Sequence, residues 1–259
     1  MKKRVQLNLK TLRIRLEEEV HFRNSHTEIS LEKPDPLLIA RAYNDEYIAL
    51  LCALFSYGNV RAIIHFLRSL DFSLLHSNEE KIRDKLHVYY RFQTVCDVQE
   101  IFITLSRLKQ QNISLEALFH AGYQSNNDVM QGLKSLIEYL YDTNSYRSKG
   151  YQFLLGNIAQ SPYKSTYKRW HMYLRWMVRS DCLDLGLWRN IATQDLLVPL
   201  DVHTFTIGKK IGLITQKSYD FKAVLELTNA LKQFDPSDPV KYDFALYRIG
   251  QEKLFDKGY

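Results

Sequence analysis

Asp201 follows a proline two residues back, in "VPLD", and the residues after it, "VHTFTIGKKIGLI", read as a helix whose far end is basic. A carboxylate there is suited to accept the free N–H groups of the first turn. Asp201 is therefore either a cap alone or a cap that also works in a reaction. Lys168, 33 positions earlier, heads "KRWHMYLRWMVR". At about 100° per residue, Lys168, Arg175 and Arg179 fall within about 40° of one another. Trp170, Tyr173, Leu174, Met177 and Val178 cover the other side. The three cations form either a solvated basic face or a groove that follows a phosphate backbone.

The elements that must position these residues read as helices. The stretch from 37 to 161 has no proline. In "DEYIALLCALFSYGN", Ile48, Leu51, Cys52 and Phe55 share one face, and Gly58 with Asn59 is expected to end the helix. Met130, Leu133, Ile137 and Leu140 repeat the pattern in "NNDVMQGLKSLIEYLYD". Residues 97–110 and 222–233 also read as helices. The stretch between Arg179 and Asp201 is expected to fold back as loop and short helix, because long bare loops are rare in compact domains. Few segments alternate with period two, so the expected fold class is all-α, without repeats or low-complexity tracts.

Composition narrows the function classes. With 259 residues and 46% apolar side chains, the chain is globular and large enough for a real core. Its net charge of +6 and pI near 9.0 favour an anionic partner. The 17 tyrosines suit stacking on exposed bases as well as core packing. Cys52, Cys96 and Cys182 are far apart, form no CxxC pair and supply no metal set, which fits a reducing compartment. The start, "MKKRVQLNLKTLRIRLEEEV", is amphipathic but lacks the apolar core of a signal peptide, and no 18-residue apolar run exists. A cytoplasmic, nucleoid-associated monomer that uses no membrane is the expectation.

The segment "VPLDVHTFTIGKKIGL" resembles the one following the helix-hairpin-helix in DNA glycosylases of the helix-hairpin-helix/Gly-Pro-Asp superfamily. Asp201-Val202-His203 matches the family's Asp-Thr-His, with Val202 in the Thr position. Lys168 resembles the catalytic lysine early in the second hairpin helix. The wider stretch, from "SPYKSTYKRWHMYLRWMVR" through "DLGLWRNI" and "PLDVHT" to "DPVKYDFALYRIG", resembles a bacterial family of unknown function. That family is similar to the archaeal 8-oxoguanine glycosylases. "ALLCALFSYGNVRAIIHFLRSL" and "YYRFQ" extend the resemblance over about residues 35 to 250. The chain departs from the superfamily in its hairpin, where "AQSPYKSTYK" has no glycine. It also lacks the cluster-binding cysteines of endonuclease III, so no cofactor, metal or iron–sulfur cluster is expected.

The resemblance implies a two-subdomain helical fold with a cleft between subdomains. Residues 40–180 would form a central subdomain ending in a divergent helix-hairpin-helix. Residues 1–39 with 181–259 would form the second. It also implies a base-excision DNA glycosylase with AP-lyase activity, acting on an oxidised purine such as 8-oxoguanine in double-stranded DNA. Lys168 would attack the sugar C1′ as a neutral amine, and Asp201 would stabilise the charge developing on the sugar. A lysine suits this because burial and nearby cations, here Arg175, lower an amine's pKa.

Phosphate contacts would come from Lys164, Ser165 and Thr166, with Ser161, and from Arg169, Arg175 and Arg179. Tyr57 and Asn59, at a position resembling the family's Ser-Gln segment, would enter the gap left by the flipped base or would simply stop a helix. Arg91, Gln93, Trp176, His203 and Asp243 are base-pocket candidates. For His203 a buried structural role, for Asp243 bonding within helix packing and for Trp176 core packing are the competing readings. Three other functions stay open: a catalytically inactive nucleic-acid-binding protein, a monofunctional glycosylase in which Asp201 activates water, and a helical protein–protein adaptor.

Overall fold

The computed structural model describes residues 8–158 and 161–252. Residues 1–7 of the amphipathic start, and Ala159 and Gln160 of the hairpin segment, lie outside the described residues. Among these residues there are thirteen α-helices and no strands, only two isolated bridges. The fold is all-α. The chain divides into two compact units, Ile29–Gln160 and Met1–Glu28 with Ser161–Tyr259. The division thus falls at 160/161 and not at 180, which puts the helix of Lys168 with the chain ends and apart from the central unit.

The central unit carries α2 (Leu37–Tyr43), α3 (Glu46–Leu54), α4 (Val60–Ser69), α5 (Glu79–Lys85), α6 (Val95–Gln110), α7 (Leu115–Tyr123), α8 (Val129–Thr143) and α9 (Lys149–Leu155). Local sequence explains their starts. The Asp45, Asn59 and Asp128 side chains accept first-turn N–H groups of α3, α4 and α8, and Thr94 with Asp97 closes a reciprocal capping box on α6. The α3 helix stops at Leu54, earlier than expected. Asn59 does not end it but opens α4, as a β-region residue whose Oδ1 accepts from Arg61 and Ala62. The core is built from α3, α6 and α8, with Leu50, Leu51, Leu54, Phe55, Phe102, Leu133, Ile137 and Leu140 all buried. Gly132 lets α7 and α8 pack tightly, since a Cβ there would lie 2.6 Å from the Phe119 ring.

The second unit carries α1 (Leu9–Arg23), α10 (Lys168–Val178), α11 (Val202–Lys210), α12 (Phe221–Lys232) and α13 (Tyr242–Gln251). The two ends of the chain are tied by charge. The buried Arg23 guanidinium donates to Glu252 at 2.7 and 2.8 Å and to Glu28 at 3.1 Å. Burial opposes that charge, but the carboxylates, Glu252 foremost, hold its pKa above the ordinary arginine range. Helices α11 and α13 approach closely at Gly250, where a Cβ would lie 3.0 Å from Ile207. Asp243 lies in the first turn of α13, at the opposite end from Gly250. No helix among the described residues is long and apolar enough to cross a membrane.

Candidate active site

Helix α10 is buried on almost every side. From Trp170 to Val178 each residue is buried, including Arg175 at 4% exposure and Trp176 at 1%. The row of three cations therefore does not form an exposed phosphate-following face. Arg175 donates from Nη1 to Asp243 and from Nε and Nη2 to Asp184 Oδ1 at 3.2 and 3.1 Å. Arg179, only 9% exposed, donates to Asp238 at 3.0 Å, Asp184 at 2.6 Å and Asp181 at 2.8 Å. A buried guanidinium must be paired, and two arginines one turn apart need carboxylates on both sides. Asp184 supplies the middle one.

Burial pushes the Asp184 carboxyl up, against the opposing pull of Arg175 and Arg179. Burial also works against the Arg179 charge, but Asp184, Asp238 and Asp181 outweigh it and raise the arginine pKa. Trp176 is core and its backbone carbonyl accepts from Leu185 and Gly186, so it presents no ring to a base.

Lys168, the first residue of α10, stands outside this network. It is half-buried, and its Nζ donates to the Met172 sulfur at 3.4 Å. A thioether is a weak acceptor, so the amine is not locked into an ion pair. Asp201 is likewise half-buried, at the N-cap of α11. Its Oδ1 accepts the Thr204 N–H at 2.8 Å, while Oδ2 has no hydrogen-bond partner among the described residues. Capping thus engages one oxygen of two.

Asp243 reports on both groups. Burial pushes its carboxyl up to about 6, against Arg175, which lowers it; the Asp201 charge raises it further and the Lys168 charge lowers it. Lys168 and Asp201 therefore act on one buried carboxyl, inside one unit of the fold.

The other expected residues fall as follows. Lys164 and Ser165 are exposed, Ser161 with them, and Ser165 Oγ accepts the Tyr167 N–H at 3.3 Å. Thr166 is buried and faces the Tyr219 hydroxyl at 3.4 Å, so its hydroxyl is not presented to a phosphate. Arg169 is half-buried. His203 is exposed rather than a buried structural histidine, with its ring 6.2 Å from Tyr247.

Tyr57, Asn59, Arg91 and Gln93 belong to the central unit. The Gln93 amide is buried and engaged at both ends, accepting from the Tyr57 hydroxyl and donating to the Gly150 carbonyl at 3.4 Å. It is a strut and not a free base reader. Arg91 is exposed, with its guanidinium 5.7 Å from the Tyr57 ring, and Phe92 and Phe153 stand exposed beside them.

Sequence reasoning missed three residues of this neighbourhood. Asp184 lies in the connection after α10, where its only signal was a pair of aspartates, Asp181 and Asp184, following a basic helix. His171 is buried with neither ring nitrogen hydrogen-bonded, and burial lowers its pKa to about 3. Tyr219 is 42% exposed, but its hydroxyl donates to the Leu200 carbonyl at 2.7 Å; partial loss of water raises the phenol pKa, the Thr166 hydrogen bond opposes this and the Asp201 charge adds to it. Among the described residues no group of three or more His, Cys, Asp or Glu side chains is arranged to hold a metal.

These features belong to an all-helical protein with an amine and a carboxylate set apart from a buried ion network. The chain belongs to the family of proteins of unknown function DUF2400, whose model matches residues 35–252. No curated protein and no solved structure matches it.

Proposed function

We propose that the chain is a DNA glycosylase with AP-lyase activity, of the helix-hairpin-helix type, that removes an oxidised purine from double-stranded DNA. The observation that carries this reading is the state of two side chains. Arg175, Arg179, Asp184 and Asp243 are paired with one another, whereas Lys168 rests on a thioether and Asp201 keeps one oxygen outside its cap. An uncommitted amine and an uncommitted carboxylate oxygen beside a buried ion network suit covalent catalysis.

In this reading the Lys168 amine forms a bond to C1′ of the flipped nucleotide. The glycosidic C1′–N bond breaks, and its electron pair leaves with the base, which takes up a proton. The amine nitrogen gives up a proton, the C1′–O4′ bond breaks with its electron pair going to O4′, which takes up a proton, and an open-chain Schiff base remains. Loss of a C2′ proton then expels the 3′ phosphate. Asp201 offers negative charge where positive charge develops on the sugar and receives the proton from the amine.

The test is base release from a duplex carrying one 8-oxoguanine opposite cytosine, with a panel of other lesions alongside. Release by the wild type, lowered at least about 100-fold in Asp201→Asn, is the expected result, in the range that loss of charge stabilisation costs. Wild type that binds the duplex yet releases no base from any lesion would replace the proposal with a non-catalytic nucleic-acid-binding protein.

A further inference from the structure

We propose that Tyr219 is a positioning residue that holds Lys168 and Asp201 in register, an inference that rests on the function proposed above. Its hydroxyl lies between the two backbone segments that lead into these residues. It donates to the carbonyl of Leu200, the residue before Asp201, at 2.7 Å. It accepts from the hydroxyl of Thr166, two residues before Lys168, at 3.4 Å. Both anchor points are buried. The ring packs edge-on against Phe205, in α11, at 5.6 Å, so the phenol is fixed from the side as well.

The loop before α10 needs such a tie. Its last part, residues 161–167, has no glycine, and Tyr167 enters the helix in a left-handed conformation with no side-chain cap. What secures it is aromatic packing of Tyr163 and Tyr167 on Phe221, at 5.1 and 6.2 Å, and Phe221 stands two residues after Tyr219. The same short segment thus grips the Lys168 loop by its rings and the Asp201 segment by a hydrogen bond. Covalent attack depends on sub-ångström placement of the amine, so loosening this tie costs rate more than binding.

The test compares the wild type with Tyr219→Phe, Thr166→Val and the double variant, using the full chain. The phenylalanine keeps the packing on Phe205 and removes only the hydroxyl. Single-turnover base release is expected to fall at least about tenfold in Tyr219→Phe, with KM within about twofold and a melting temperature lowered by no more than a few degrees. The double variant is expected to be no slower than the worse single variant, because both remove one bridge. Amide exchange at Thr204, read without DNA, is expected to quicken in Tyr219→Phe.

An unchanged turnover rate in Tyr219→Phe overturns the proposal, as does a fall confined to KM. If the wild type is inert on every lesion, the function itself fails. The exchange at Thr204 then separately decides whether Tyr219 holds the Asp201 segment, and unchanged exchange rejects the tie.

Discussion

Asp201 accepts the Thr204 N–H through Oδ1 alone, at 2.8 Å, so that the cap and the remaining carboxylate oxygen are separable by mutation. Asn is as good an N-cap as Asp, and Ala is poorer by about 1 kcal/mol. Asp201→Asn is therefore expected to keep stability within about 0.5 kcal/mol in urea melts while losing base release. Asp201→Ala is expected to lose both. Equal activity in the Asn variant would reduce Asp201 to a cap.

Arg175 and Arg179 are buried in ion pairs, so their removal is expected to act on stability first. Removing Arg175 leaves Asp243 buried without its guanidinium and Asp184 with Arg179 alone, which is expected to cost about 3–5 kcal/mol in Arg175→Met. Lys164 is exposed, so Lys164→Ala is expected to change stability by less than about 0.5 kcal/mol. In the proposed function it contacts a phosphate, and its loss would lower the salt slope of DNA binding by about 1. Urea melts with binding titrations at several salt concentrations separate the two behaviours.

Two buried groups give stability opposite pH slopes. Burial holds His171 down to about 3, so the fold keeps it neutral; its contribution is complete above about 6.5 and is lost as pH falls towards 3. Burial holds Asp243 up to about 6, so the fold favours its acid form; that contribution is complete below about 4 and is lost as pH rises through 6. Stability measured from pH 4 to 7 is expected to lose its His171 slope in His171→Phe and its Asp243 slope in Asp243→Asn. A slope that survives its own substitution would assign it to another group.

The helices and the Asp201 cap were legible because both are local: a 3.6-residue period and a side chain three residues from the N–H it accepts. The fate of the α10 cations was not. A face carrying Arg175 and Arg179 has the same period whether it meets water or carboxylates, and one partner of Arg175 is 68 positions away in sequence. Asn59 was misread for a related reason. Asn serves both at helix ends and at helix starts, and only the backbone geometry distinguishes them. The buried Gln93 strut and the Tyr219 bridge also join segments distant in the chain, which no spacing rule reveals.

In the proposed function the Lys168 amine becomes covalently joined to DNA. Borohydride reduction during reaction with a lesion-bearing duplex tests it most directly, since reduction fixes a Schiff base as a stable protein–DNA adduct. An adduct with the wild type and none with Lys168→Gln, at matched stability, is the expected result. An adduct that persists in Lys168→Gln, or base release by the wild type with no adduct, would contradict it.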